Sequence, residues 1–356
     1  MEIEGGTPLR YTSSQLKLLL KFRRYRLPFL ASVRTSRGPW TEREGLLLRL
    51  EDESGRRGWG EAAPIPAFGT ESPGEAESAC RALDGWRDAG LMAAPAEMRS
   101  LGAGLRAARA DLETGGSAVG DDERGPGALP VCALLPAGSS ALPILRVKAE
   151  ADFRIFKWKV GVYDAGDELV LLDELCGLLP SGAKLRLDAN GGWDRRLAER
   201  WLDRCAGRPV EFVEQPVAPD EAGAEDLLQG LARDYPTPLA LDESLACDGD
   251  VGRWLDLGWR GVFVVKPSLH ADLRASLDRL EAAGAAVVFS SALETAVGAK
   301  SALRSAFSWR GIPLALGFGV WPLFADSIFD GPAALPFIRR EDVERIRPED
   351  LWNALN

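Results

Sequence analysis

Eight lysines stand against thirty-five arginines in this chain, so the few lysines are the residues to examine first. Arg stays protonated in a protein, whereas Lys can be tuned into a general base. Three of the eight, Lys157, Lys159 and Lys266, end the short apolar runs RIFKWKVG (154–161) and VFVVKPS (262–268). Between these, LRLDANG, EFVEQP and LALDES bring Asp188, Glu214 and Asp242 to the ends of three more runs. Carboxylates gathered from neighbouring strands repel one another and hold protons unless something compensates them. A divalent cation does so, and an all-oxygen donor set favours Mg²⁺, with Mn²⁺ as a substitute. The lysines lie on either side of the carboxylates, where nearby positive charge disfavours their protonated form. Such a group suits proton abstraction next to a carboxylate, with the metal stabilising the enediolate.

These residues need a scaffold that delivers one of them per strand. The steps from Lys159 to Asp188, Glu214, Asp242 and Lys266 are 29, 26, 28 and 24 residues, about the length of one βα unit. Eight runs fit the pattern: VCALLP, RIFKWKVG, LRLDANG, EFVEQP, LALDES, VFVVKPS, VVFSSALE and LALGFG. The fold expected is α/β, a TIM-like barrel, with the charges at the strand ends where such barrels carry their sites. Period-two alternation puts Lys157 and Lys159 on one face, and Arg186 on the same face as Asp188.

Before residue 120 the pattern differs. LKLLLKF (16–22) and LLLRLEDESGRRGWGEA (46–62) predict antiparallel strands with a turn at Glu53–Gly55, and 74–89 and 97–113 predict amphipathic helices. The Gly- and Pro-rich stretch 115–130 reads as a connection. The expected division is an α+β capping domain over 1–125, a barrel over 126–325, and a segment 326–356 that returns to complete the cap.

A length of 356 residues and a net charge of −10 argue for an ordinary globular protein without a nucleic-acid surface. The single histidine, His270, excludes His-rich zinc sites and a Ser–His–Asp triad, and its place four residues past Lys266 reads as a bystander. Five scattered cysteines without a CxxC suggest reduced thiols. MEIEGGTP has neither a basic nor an apolar stretch, so no signal peptide is expected and the protein is read as cytoplasmic. Prolines interrupt the uncharged run 125–145, so no membrane span is expected there.

KWK at 157–159, DAN at 188–190, EQP at 214–216, DES at 242–244 and KP at 266–267 resemble the enolase superfamily, muconate-lactonizing-enzyme subgroup, over essentially the whole chain. The resemblance implies a mixed α/β cap on a (β/α)7β barrel. It implies Asp188, Glu214 and Asp242 as Mg²⁺ ligands, Lys159 as the acid/base, Lys157 as its tuner, and Lys266 opposite as a base or a stabilising cation. TSRGPWTEREGLLLRLED (35–52), GWGEAAPIPAFGTE (58–71), VCALLPAG (131–138) and SSALETAVG (290–298) are most similar to the o-succinylbenzoate synthase family within that subgroup. That implies a hydro-lyase performing the syn-dehydration of 2-succinyl-6-hydroxy-2,4-cyclohexadiene-1-carboxylate to 2-succinylbenzoate, in menaquinone or phylloquinone biosynthesis.

By the same resemblance, Ser290, Ser291 and Gly317 contact the succinyl carboxylate; alternatively they only form strand-to-helix turns. Arg186 either pairs with a substrate carboxylate or structures the barrel interior. Asn190 and Glu243 read as groups behind the ligands. Loops 34–41 and 64–70, with Trp40 and Phe68, are expected to close over the barrel mouth. Strand eight, GFGVWP, lacks the acidic residue frequent in relatives, and no D-x-D of dipeptide epimerases is present. An N-acylamino acid racemase or cycloisomerase, a Schiff-base lysine aldolase and a non-catalytic barrel are the competing readings. The expected partner is a small-molecule carboxylate, for a monomer or homo-oligomer.

Overall fold

The computed structural model describes residues 16–35, 38–116, 126–311, 314–333 and 335–355. Four strands form the first layer: β1 (Lys17–Thr35), β2 (Gly38–Asp52), β3 (Arg57–Ala62) and, after helix α1 (Pro73–Ala82), β4 (Trp86–Asp88). They pair in the order β3-β2-β1-β4, antiparallel throughout. Helix α2 (Arg99–Glu113) follows. Leu18 and Leu20 of β1 and Leu46, Leu48 and Leu50 of β2 alternate onto one face and pack with Leu101, Leu105 and Leu112 of α2. Leu47, on the other face of β2, joins the core beneath the second layer instead. Glycines let α2 come close to β3: a Cβ on Gly60 would lie 2.0 Å from the Gly104 carbonyl oxygen.

Two departures from the sequence expectation occur here. The first helix ends at Ala82 rather than at 89, because 86–88 pairs with the start of β1. Strand β1 runs on to Thr35, so the 34–41 segment is largely a hairpin; its residues 36 and 37 lie outside the described set.

The rest alternates strand and helix. After β5 (Ala128–Pro130) come β6 (Ala133–Leu135), α3 (Ala141–Glu150), β7 (Ile155–Lys159), α4 (Ala165–Leu178), β8 (Lys184–Asp188), α5 (Arg195–Cys205) and β9 (Val210–Glu214). These lead into α6 (Ala224–Asp234), β10 (Leu239–Leu241), α7 (Asp248–Asp256), β11 (Val262–Val265), α8 (Leu273–Ala282), β12 (Ala286–Phe289) and α9 (Ala296–Phe307). Strands β6 to β12 form one parallel sheet in sequential order. They read as apolar runs because helices cover one face and packed side chains fill the other. LALGFG is not a full strand, yet it is bonded on both sides. Leu316 forms a parallel bridge with Val131, and Gly317 one with Ser290. The Gly317 amide donates to the Phe289 carbonyl at 2.8 Å, and the Cys132 amide to the Leu316 carbonyl at 2.9 Å.

Inside the curl of the sheet, Phe212, Ala240, Val262, Val264 and Val288 make a separate core beneath the charged strand ends. Finally, β13 (Phe337–Arg339) pairs with β5, and α10 (Arg340–Glu344) and α11 (Pro348–Ala354) follow. Trp352 of α11 packs edge-on to Trp59 of β3, with ring centroids 5.5 Å apart, and Arg23 and Arg49 of the first sheet cover its ring. Residues 1–15 and 117–125, which include the expected boundary at 125, lie outside the described residues. All five cysteines are free, and among the described residues no helix is long and apolar enough to cross a membrane.

Candidate active site

The register of the parallel sheet aligns the chemistry. Lys159 pairs with Asp188, and Asp188 with Glu214, across β7, β8 and β9. Asp242 follows the last residue of β10 and Lys266 the last residue of β11, both facing the same mouth. Lys157 Nζ lies 2.8 Å from Asp188 Oδ2 and 2.8 Å from Glu214 Oε1. Lys266 Nζ is bonded to Asp242 Oδ1. The five side chains expected at the strand ends, other than Lys159, are thus tied into two ion-paired groups, and Lys159 borders the first of them.

Burial and charge set the proton affinities. Burial works against the Lys157 ammonium, but Asp188, Glu214 and Asp242 outweigh it and hold the group well above the usual lysine range. Burial pushes Lys159 down from the usual lysine value. Burial also pushes up the Glu214 carboxyl, and the nearby Asp188 and Asp242 add to that. Glu243, desolvated and beside Asp242, is pushed up to about 7.

Among the described residues, no three carboxylate, histidine or cysteine groups form a ready ligand cluster. Oxygens of Asp188, Glu214 and Asp242 are paired with lysines. The chemistry of the site nevertheless fits a hard cation. All donors are oxygens, Asp188 and Asp242 add to the rise of the Glu214 carboxyl, and two buried acceptors, Asn190 Oδ1 and Glu243 Oε2, have no hydrogen-bond partner among the described residues. These two belong to side chains joined to each other, Asn190 Nδ2 donating to Glu243 Oε1 at 3.2 Å, beside Asp188 and Asp242.

Other residues singled out in the sequence take varied places. Arg186 is buried inside the sheet, with Nε 2.6 Å from Glu211 and Nη1 donating to the Ala315 carbonyl at 2.7 Å, and it lies over the Phe212 ring. Ser290 Oγ is 3.5 Å from the Gly317 carbonyl oxygen. The Ser291 hydroxyl donates to Glu294 at 3.1 Å and accepts from the Leu293 amide at 2.9 Å. His270 is buried and its Nδ1 meets Asp248 at 3.0 Å. It lines, with Phe68, Asp242, Leu245 and Lys266, a small recess beside the second lysine.

Sequence reasoning missed several supports. Gln215, at φ 37°, accepts from the amides of Asp242 (3.0 Å) and Ser244 (3.1 Å), and so fixes the loop that carries Asp242. Its only sequence signal was its place in EQP. Phe68 lies over Lys266, its ring centroid 4.2 Å from Nζ. Arg99 donates to the carbonyls of Phe68 (3.2 Å) and Gly69 and fixes that loop from α2. Such long-range partners leave no spacing pattern.

Two family descriptions match the chain: "Enolase C-terminal domain-like" over residues 144–335 and "MenC, N-terminal domain" over residues 19–112. An o-succinylbenzoate synthase of Thermosynechococcus vestitus is 40% identical over 310 residues, covering 84% of this chain and 92% of that protein. A solved o-succinylbenzoate synthase from Thermosynechococcus elongatus, described as complexed with Mg in its active site, superposes with a TM-score of 0.79 at 34% identity, covering 94% and 99% of the two chains. The L-Ala-D/L-Glu epimerase of Bacillus subtilis shares the fold, with a TM-score of 0.75 at 23% identity over 90% and 95% of the chains. With its lysines and carboxylates at successive strand ends and these relatives spanning nearly its full length, the chain belongs to the o-succinylbenzoate synthase family of the enolase superfamily, a family of lyases.

Proposed function

We propose that this enzyme dehydrates 2-succinyl-6-hydroxy-2,4-cyclohexadiene-1-carboxylate to 2-succinylbenzoate, a step of menaquinone or phylloquinone biosynthesis. The observation that carries this is the group Lys157–Asp188–Glu214 with Asp242–Lys266, set at the strand ends and roofed by Phe68. The curled sheet and the 314–318 segment bonded to both its edges support reading the catalytic unit as a (β/α)7β barrel. We assign the cap to the first sheet with α1 and α2, joined by the C-terminal segment.

In this reading Asp188, Glu214 and Asp242 hold Mg²⁺, and Asn190 and Glu243 orient the groups around it. Bound there, the ion would neutralise the charge that builds on the substrate carboxylate. Lys159 Nζ takes the proton from the ring carbon next to that carboxylate, and the C–H electron pair moves toward the carboxylate. The same ammonium then gives its proton to the leaving hydroxyl on the same ring face, which departs as water. The ring becomes aromatic, so the protein has only the first barrier to lower. Lys157, held charged between two carboxylates, keeps Lys159 in an electropositive setting, and Lys266 faces the substrate as a cation. Ser290, Ser291 and Gly317 border the succinyl end, and Arg186 supports the floor beneath.

The test is an ultraviolet assay of the cyclohexadiene substrate with Mg²⁺, with EDTA and with Lys159→Ala. Diene absorbance should fall with Mg²⁺, stop with EDTA and stop in the variant. No turnover by folded, metal-loaded enzyme would sink the assignment and make N-acylamino acids the next substrates to assay. Borohydride trapping of a substrate adduct, with indifference to EDTA, would favour Schiff-base chemistry instead.

A further inference from the structure

Arg43 of β2 is 1% exposed, and its guanidinium donates to main-chain carbonyls of both domains. In the cap it reaches Glu44 (3.0 Å), Pro64 (2.8 Å) and Ala63. In the barrel it reaches Leu293 (3.1 Å) and Ala292 (3.3 Å). Residues 63 and 64 lead directly into the loop that places Phe68 over Lys266, and residues 292 and 293 directly follow Ser290 and Ser291. One buried cation therefore joins the two segments that wall the mouth on this side.

Two independent features sit at the same junction. Ile65 and Phe68 of the lid, Leu269 after Lys266, Ala292 after Ser291, and Trp40 form a small apolar cluster of their own. Arg43 covers the Trp40 ring at 5.1 Å. Leu293 has φ 58°, the left-handed region that an L-residue with a side chain rarely adopts. Such a backbone persists only where its surroundings over-determine it. Here the Leu293 amide is held by the Ser291 hydroxyl and its carbonyl by Arg43 Nε. Glu294 and Glu61 pin the rest of the loop: Glu294 accepts from the Ala292 amide (2.5 Å), and Glu61 from the amides of Thr295 (3.0 Å) and Gly298 (2.8 Å).

We propose that Arg43 is a positioning residue that locks the lid segment 62–70 to the loop 290–295, so that the two walls of the substrate pocket open and close as one unit. Only a planar fork with five donors can bridge two segments through carbonyls in this way, whereas the lysine ammonium is a compact point charge. The inference rests on the reading that these loops flank the bound substrate.

Hydrogen exchange of the full-length enzyme decides the coupling without reference to activity. In the wild type, amides of 62–70 and of 290–295 should open together, with one dependence on low urea, distinct from that of 184–188. In Arg43→Lys both segments should exchange at least about tenfold faster, with 184–188 unchanged. Separate urea dependences in the wild type, or acceleration of only one segment in the variant, overturn the proposal. Kinetics add a readout that a merely structural role would not move. Arg43→Lys should raise KM about tenfold with kcat within about threefold, and adding Leu293→Gly, which adopts the left-handed backbone freely, should reverse part of the rise in KM. An unchanged KM in the folded variant also overturns it. Failure of the wild type to turn over the diene rejects the assigned reaction alone, because the exchange data stand by themselves.

Discussion

Lys157 and Lys159 are two residues apart on one strand face, yet their surroundings differ. Lys157 is clamped by Asp188 and Glu214 and is held charged, while Lys159 stands at the strand end beside them. Lys159→Arg should therefore lose about 10²–10⁴ in kcat while keeping its melting temperature, because arginine cannot take the proton. Lys266→Arg keeps a cation opposite and should retain measurable dehydration while abolishing any racemisation of N-acylamino acids, read by exchange of the α-proton in deuterated water. Arg186 is different again. Its ion pair with Glu211 and its bond to Ala315 lie within the packed interior. Arg186→Met should cost about 3 kcal/mol in urea unfolding, since it leaves a partly buried carboxylate unpaired.

At the scale of elements, the start of α9 is where the first sheet grips the strand–helix layer. Glu61 of β3 accepts from Thr295 and Gly298 at the positive end of that helix, and Tyr25 donates to it at 2.6 Å. Glu61→Gln removes a buried charge from a helix N-terminus and should cost about 1–2 kcal/mol, measured by chemical denaturation. Glu294 nearby has the opposite electrostatic balance. Burial pushes its carboxyl up to about 7, above its unfolded value. Its folded state favours the protonated form, so its contribution to stability is fully present below about pH 4.5 and is lost as pH rises through 7. Glu294→Gln should thus gain on the wild type by as much as roughly 3 kcal/mol between pH 5 and pH 8. A pH-independent difference between the two proteins would reject that account.

Across the whole molecule, the chain's last segment returns to its first sheet. Trp352 is 6% exposed between Trp59, Arg23 and Arg49, and Arg304 of α9 bonds both Asp111 of α2 (2.8 Å) and Glu344 of α10. The first sheet with α2, helix α9 and the C-terminal helices therefore share one seam. Trp352→Ala should destabilise the enzyme by about 3 kcal/mol in urea. Loss of these contacts should also show as faster exchange in 62–70, since Leu47 of the same sheet is packed into the core of the parallel sheet.

What the sequence determined by itself was whatever repeats with a short local period. Strand-ending charges at one βα unit's spacing, alternating leucines in β2 and the helix over 97–113 could all be read because backbone geometry imposes those periods. The same reading overextended the first helix to 89, since nothing local reveals that 86–88 pairs with β1. It also gave LALGFG a full strand, where the tertiary structure has single bridges to two neighbours. The pairing of Lys157 with two carboxylates, the seat of Phe68 on Lys266 and the grip of Arg43 on Leu293 were decided only in three dimensions. Each joins groups far apart along the chain, whose energies depend on burial and on direction, and neither is written in the spacing of residues.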